Sequence, residues 1–141
     1  MLEDRVAIVT GAGQGIGRAI AVELAKAGAH VVASGRRLEP VEAVAGAVRA
    51  LGRRSLALSC DVRDAAQVER MVAETVREFG RVDLLVINAG YRIRAPLDQL
   101  PRAEWDAMVG TNLTGVFLCC QAVGRVKIGR ASCRERVYAC V

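Results

Sequence analysis

The sequence predicts an α/β fold, a doubly wound parallel sheet with helices on both faces. Four short apolar runs of strand length alternate with longer segments whose apolar residues recur at helical spacing. A glycine-rich turn follows the first run, and glycines also end several helical segments. Strands joined by helices are typical of parallel pairing, and 141 residues suit a single domain.

The first half of the chain contains three strand and helix units. Pro40 falls in an early helical position, where a missing N–H does no harm. Asp64 is placed to cap the third helix. The predicted strands are residues 5–10, 30–34 and 55–60, and the predicted helices are residues 15–27, 40–50 and 64–79.

The second half begins with residues 82–87, a nearly continuous apolar run that predicts a strand buried on both faces. Residues 91–100 follow as a loop, and Tyr91, Arg92 and Arg94 are candidates to border a substrate cleft. A helix opens at about residue 101, with Trp105 expected between that helix and the sheet. A long helix is expected from about residue 111.

Composition excludes several classes of function. The net charge of +5 is scattered and has few aromatic residues beside it, so nucleic acid is not the expected partner. We find no apolar run long enough for a bilayer and no leader pattern, which predicts a cytoplasmic protein without membrane contact. The five cysteines are expected as reduced thiols, and their spacing predicts no metal site.

The glycine-rich turn has the composition of a phosphate site. Glycines let an anion approach backbone N–H groups, and the following helix points its positive end at the charge. Gly11 and Gly13 begin a G-x-G-x-x-G pattern, but Ile16 stands where the third glycine is needed. A Walker loop also fails, because no Lys-Ser or Lys-Thr pair follows the glycines.

The turn matches the pattern Thr-Gly-x-x-x-Gly-x-Gly, which is formed by Thr10, Gly11, Gly15 and Gly17. In this pattern the chain resembles the short-chain dehydrogenase/reductase family. A glycine turn that binds no ligand is the alternative for this stretch alone. The resemblance implies a Rossmann-like sheet, here incomplete with about four strands in the order 3-2-1-4. It implies cofactor contacts at Thr10, Gly11, Gly13, Gln14, Gly15, Ile16, Gly17, Arg36, Asp61, Val62, Asn88, Ala89 and Gly90.

Cofactor choice is indicated at the end of the second strand. A carboxylate there accepts from the free ribose of NAD, whereas an arginine pairs with the 2′-phosphate of NADP. Gly35 occupies the position of the acid and Arg36 follows it, so the sequence favours NADP, with NAD as the alternative. Two solvated arginines opening a surface loop are the competing interpretation.

Three further segments resemble family motifs. Asp61 and Val62 are similar to the adenine contact, although Asp61 is also explained as a turn residue. Asn88, Ala89 and Gly90 resemble the Asn-Asn-Ala-Gly motif with Ile87 in place of its first asparagine. Asn112 resembles the asparagine that perturbs the central helix and holds a water linked to the catalytic lysine, which makes it the candidate for a catalytic relay; a helical asparagine without that role is the alternative.

The resemblance ends near residue 126. We expect residues 1–126 to be the nucleotide-binding domain, whereas residues 127–141 have the residue order of a translated sequencing adapter and are expected not to be biological sequence. A divergent natural terminus is the alternative. Ser132 and Tyr138 are too closely spaced for the family's serine and Tyr-x-x-x-Lys, so the chain as written is expected not to catalyse.

For the parent enzyme, the resemblance implies hydride transfer between NADP(H) and a small carbonyl or alcohol substrate, in a homodimer or homotetramer. A catalytically dead NADP sensor or interaction module is the second hypothesis. Binding of nucleic acid through the basic tail is the third and weakest.

Overall fold

The structure, a computed structural model, describes residues 1–128. Its four strands form one sheet in the order β3-β2-β1-β4, and every neighbouring pair is parallel. This confirms the predicted fold class and strand order. The strands are β1 (Val6–Thr10), β2 (His30–Gly35), β3 (Ser55–Ser59) and β4 (Leu84–Val86).

Helices cover both faces of the sheet because side chains of successive strand residues point to opposite faces. Val9 and Val31 pack with α1 and α2 on one face, whereas Ile8 and Val32 pack with α3 and α5 on the other. The helical segments are α1 (Gly15–Lys26), α2 (Leu38–Ala50), α3 (Ala65–Phe79), a 3₁₀ turn (Leu97–Gln99), α4 (Arg102–Val109), a π-helical turn (Gly110–Thr114) and α5 (Gly115–Ile128).

Helix α3 shows how local sequence sets the boundaries. Asp64 Oδ1 accepts from the main-chain N of Ala66 at 2.9 Å and of Gln67 at 3.3 Å, which satisfies two N–H groups of the first turn. Gly80 ends the helix at a φ of 73°, in the left-handed region that glycine adopts without strain. Asp64 is therefore a helix cap.

Two local expectations were wrong. The fourth strand was expected over residues 82–87, but only Leu84–Val86 pair with β1. Trp105 was expected between helix and sheet, yet it is 46% exposed. Helix α4 buries none of its residues.

The expectation that no segment reaches the length of a bilayer span was also wrong. Residues 102–128 form one continuous helical stretch of 27 residues, and a segment of 18 residues within it has a mean hydropathy of 1.3, which passes that test by composition. Core helices pass the same test, and Cys119, Ala122 and Val123 pack in the core against α3 and the sheet. The α5 part of this stretch therefore contributes to the protein core, whereas α4 and the π-helical turn bury none of their residues.

The predicted boundary at residue 126 falls inside α5, which continues to Ile128. Lys127 is 8% exposed, and its Nζ donates to the carbonyl oxygen of Asp83. Residues 129–141, including Ser132 and Tyr138, lie outside the described part of the chain, so the non-biological tail stays a prediction.

Candidate functional site

The turn between β1 and α1 has a backbone that only glycine fits. Gly11 and Gly15 have φ angles of 62° and 55°, in the left-handed region. Gly17 has a different requirement, since a Cβ there would overlap with the carbonyl oxygen of Gly11 and with Nδ2 of Asn88. The first turn of α1 therefore lies directly against the bend.

Two side chains hold this turn against the end of β4. Nδ2 of Asn88 donates to the carbonyl oxygens of Thr10 at 3.3 Å and Gly11 at 3.1 Å. The hydroxyl of Thr10 accepts from the main-chain N of Asn88 at 3.1 Å and of Ala89 at 3.2 Å. Neutral hydrogen bonds thus join two segments that lie about 80 residues apart in the sequence.

A cavity of about 1040 Å³ opens at the carboxyl ends of the strands. This is the edge where ligands bind in open parallel sheets. Thr10, Gly17 and Asn112 do not line the cavity, whereas the other predicted site residues do. The predicted residues in its wall are Gly11, Gly13, Gln14, Gly15, Ile16, Arg36, Asp61, Val62, Asn88, Ala89 and Gly90.

The wall of the cavity is rich in arginine. Arg36, Arg37 and Arg92 line it, and no side chain within residues 1–128 hydrogen-bonds or ion-pairs with any of the three guanidinium groups. Asp61 is the acid in the lining, and its charge is already matched by Arg63. The cavity is therefore suited to a ligand with several negative charges.

Asp61 and Arg63 form a forked ion pair. Nε of Arg63 lies 3.0 Å from Oδ1 and 3.1 Å from Oδ2, and Nη2 lies 2.5 Å from Oδ2. This guanidinium lowers the pKa of the Asp61 carboxyl below its ordinary value, despite the opposing effect of partial burial. Arg63 was not among the predicted residues; the Asp-x-Arg spacing in the turn after β3 was the available signal.

Asn112 lies in the π-helical turn between α4 and α5, where a distorted helix was expected. Its Oδ1 accepts from the main-chain N of Tyr91 at 2.9 Å, and its Nδ2 donates to the carbonyl oxygen of Tyr91 at 2.8 Å. The Tyr91 hydroxyl in turn donates to Glu104 at 2.5 Å. Asn112 therefore holds the start of the loop after β4, and its proposed relay stays a prediction.

The described residues give little support for a reactive cysteine or for a metal site. Cys60, Cys119 and Cys120 are free thiols, and burial raises the pKa of Cys60 to about 11 and that of Cys119 to about 12. Within residues 1–128, no group of three or more histidine, cysteine or acidic side chains is placed to hold a metal ion.

A parallel sheet with a glycine turn after its first strand and a cleft over its carboxyl edge defines a Rossmann-like α/β domain. The family model described as short chain dehydrogenase matches residues 5–133. The chain therefore belongs to the short-chain dehydrogenase family, as the sequence motifs indicated.

Curated relatives carry dehydrogenase and reductase names. The chain is 42% identical over 124 residues to D-threitol dehydrogenase of Mycolicibacterium smegmatis, covering 88% of this chain and 48% of that protein. It is 43% identical over 122 residues to 3-oxoacyl-[acyl-carrier-protein] reductase of Staphylococcus aureus, covering 86% of this chain and 50% of the reductase. The chain thus spans about half the length of these relatives.

A solved structure gives the same result for the fold. The short-chain type dehydrogenase/reductase from Mycobacterium marinum superposes with a TM-score of 0.93 at 32% identity. The match covers 98% of this chain and 56% of that structure.

Proposed function

We propose that this chain binds NADP(H) across the carboxyl edge of its sheet, and that the parent protein is an oxidoreductase of carbonyl and alcohol substrates. The observation that carries the proposal is the glycine turn of residues 10–17, which Asn88 closes and which faces an arginine-lined cavity. When bound, a nicotinamide cofactor supplies or accepts the hydride in such reactions.

The turn fits a diphosphate. Nothing lies within 4 Å of a Cβ built on Gly15, so the space in front of that residue is open at the start of α1. Backbone N–H groups in the first turn of a helix have no intrahelical partners and attract anions. Gly13, Gln14 and Ile16 complete this part of the cavity wall.

The adenosine half fits the ends of β2 and β3. Asp61 and Val62 line the cavity after β3, and Arg36 lines it directly after β2. A guanidinium is a permanent, planar donor that matches a phosphate. Because Arg36 ion-pairs with no carboxylate of residues 1–128, it supports NADP over NAD.

The nicotinamide half would lie toward β4, where Ala89 and Gly90 leave the cavity wall without bulky side chains. The named relatives include a threitol dehydrogenase and a 3-oxoacyl-[acyl-carrier-protein] reductase, and these names support a carbonyl or alcohol substrate. A homodimeric or homotetrameric parent enzyme in the cytoplasm is part of the same proposal.

Direct titration of the 141-residue chain with NADPH and with NADH, followed by calorimetry, tests the proposal. NADPH is expected to bind more tightly, and Arg36→Ala should weaken NADPH by about tenfold or more while leaving NADH nearly unchanged. Arg102→Ala is the matched control, because Arg102 is an exposed arginine on α4 outside the cavity wall. Tighter binding of NADH, or no saturable binding of either, would contradict the proposal.

A catalytically dead NADP-binding module is the second candidate. The printed 141 residues contain no Tyr-x-x-x-Lys, and they span about half the length of the relatives. We therefore also propose that the 141-residue polypeptide does not catalyse, and that residues 1–126 are its nucleotide-binding domain. Sequencing the natural locus past the codon for Val126 separates the candidates, since a downstream Tyr-x-x-x-Lys supports the enzyme and its absence supports the module.

A further inference from the structure

A smaller cleft lies beside the large cavity. Its volume is about 220 Å³, and its wall includes Arg36, Arg63, Tyr91 and Glu104. Arg36 and Tyr91 also line the large cavity, so the two hollows share these two residues. The carboxylate of Glu104 therefore lies in a small cleft together with the arginine on which the proposed choice of NADP depends.

We infer that Tyr91 is a positioning residue that holds the Glu104 carboxylate away from Arg36, so that the Arg36 guanidinium stays available to an anion in the large cavity. This inference rests on the proposed function, because it takes that anion to be the ribose 2′-phosphate of NADP(H). Tyr91 acts through Glu104 and Arg36, and the role requires no contact between its hydroxyl and the nucleotide.

The cleft contains two opposite charges that are not paired with each other. The hydroxyl of Tyr91 donates to Oε2 of Glu104 at 2.5 Å. Within residues 1–128, Glu104 ion-pairs with no cation and Arg36 ion-pairs with no carboxylate, whereas the charge of Arg63 is matched by Asp61. The Glu104 carboxylate is thus bonded to a neutral hydroxyl although a free guanidinium lines the same small cleft.

The charge of Arg36 acts on the groups around it. The hydrogen bond to Glu104 raises the pKa of the Tyr91 hydroxyl above its ordinary value, and the charges of Arg36 and Arg63 oppose that rise. The Arg36 charge also adds to the effect of Arg63 in lowering the pKa of Asp61. At neutral pH Tyr91 therefore keeps the proton that it donates to Glu104.

The hydroxyl and the carboxylate are both carried by anchored backbone. Asn112 bonds the main-chain N and O of Tyr91, and Glu104 lies in the first turn of α4. Arg36 instead belongs to the short connection between β2 and α2, and its long side chain is exposed. Once the carboxylate is released by Tyr91, Arg36 can reach it from across the cleft.

An ion pair between Glu104 and Arg36 would compete with a phosphate for the same guanidinium. Partly exposed ion pairs are weak, because water screens the charges and two long side chains must be ordered. Loss of the Tyr91 hydroxyl should therefore reduce the selectivity for a 2′-phosphate severalfold, and not abolish it.

The experiment compares adenosine 2′,5′-bisphosphate with adenosine 5′-monophosphate on the 141-residue chain by calorimetry. These probes differ only in the 2′-phosphate, and they lack the nicotinamide half. The wild type should prefer the bisphosphate by about tenfold or more. Tyr91→Phe, which removes only the hydroxyl, should lower that preference by about threefold.

A double variant tests whether Tyr91 acts through Glu104. Glu104→Gln removes the competing charge, so it should restore the preference of Tyr91→Phe to at least the wild-type value. On its own, Glu104→Gln should not lower the preference. Asp106→Asn is the matched control, because Asp106 is an acid on the same helix that pairs with Arg102 outside both hollows. It removes the same charge and should restore nothing.

Several results would overturn the inference while leaving the proposed function standing. These are a full preference in Tyr91→Phe, a lowered preference in Glu104→Gln alone, a loss in Tyr91→Phe that Glu104→Gln does not restore, and equal restoration by Asp106→Asn. Far-UV circular dichroism checks that each variant is folded. A folded wild type that binds both probes equally, or neither, would overturn the proposed choice of NADP and this inference together.

Discussion

Both ends of strand β1 are hydrogen-bonded to residues that flank β4, through neutral groups at one end and through charged groups at the other. At its carboxyl end the amide of Asn88 and the hydroxyl of Thr10 form neutral hydrogen bonds. At its amino end the buried carboxylate of Asp83 accepts from the main-chain N of Val6 at 2.8 Å and from the side chains of Arg5 and Arg81.

The difference follows from what each end faces. The carboxyl end borders the cavity proposed for a diphosphate, where a fixed carboxylate would repel the ligand. The amino end lies at the opposite edge of the sheet, so a charged group can serve there for stability alone. Substitutions at the carboxyl end should therefore affect binding and stability together, whereas substitutions at the amino end should affect stability only.

The largest effect is expected for Gly17→Ala. Its Cβ would overlap with the Gly11 carbonyl oxygen and with Asn88, so the free energy of unfolding should fall by about 3 kcal/mol or more, and NADPH binding should be lost. Urea unfolding and calorimetry measure the two effects. Gly46→Ala in α2 is the control, because nothing lies within 4 Å of a Cβ there; equal stability of both variants would refute the prediction.

Asp83→Asn tests the amino end. Loss of the charge-assisted hydrogen bonds should lower the free energy of unfolding by about 2 kcal/mol at neutral pH, while the NADPH dissociation constant of the folded protein stays unchanged. Urea unfolding and calorimetry again separate the two quantities. A weakened dissociation constant at unchanged stability would show that the two ends do not differ in the way described.

The same carboxylate predicts a pH dependence. Burial raises the pKa of Asp83, but Arg81, the Val6 N–H and Arg5 together lower it below the ordinary value. The stabilisation is therefore present above the ordinary pKa of about 4 and is lost as the pH falls through the lower pKa of the folded state. The stability difference between wild type and Asp83→Asn should shrink in acid; a difference that grows below pH 4 would contradict this sign.

Gly15→Ala should have the smallest effect on stability. No atom opposes its Cβ, so only the left-handed φ of 55° is penalised, at about 1 kcal/mol. Binding should suffer more than stability, because the added methyl group enters the cavity that Gly15 lines. An unchanged NADPH affinity in this variant would place the diphosphate elsewhere. Urea unfolding and calorimetry on the same sample check both parts.

The fold could be predicted from sequence because its signals are local. The apolar runs, the helix-ending glycines and the turn of residues 10–17 each depend on neighbouring residues, and the structure has the sheet order that the family resemblance implied. Most of the predicted site residues also share one cavity, since strand ends of a parallel sheet meet at one edge. The roles of these residues stay predictions.

The expectations that were wrong, and the residue that was missed, concern contacts between distant parts of the chain. A local sequence pattern does not contain these contacts. Trp105 lies in a helix as expected, but only the structure shows that it is exposed and that α4 buries none of its residues. The helical stretch of residues 102–128 passes the hydropathy test for a membrane span, and only the structure shows that Cys119, Ala122 and Val123 of α5 pack in the core. In the sequence alone, Arg63 has the pattern of a solvated surface arginine. Only the structure shows its forked ion pair with Asp61.

The two hydrogen bonds between Asn112 and the main chain of Tyr91 give the long loop a fixed point of departure. Because the helix supplies that anchor and the bonds engage only main-chain atoms, the side chains of residues 92–100 have no share in it. We therefore expect that the sequence of residues 92–100 can be changed without shifting Tyr91, which would alter substrate selectivity while leaving the nucleotide site unchanged.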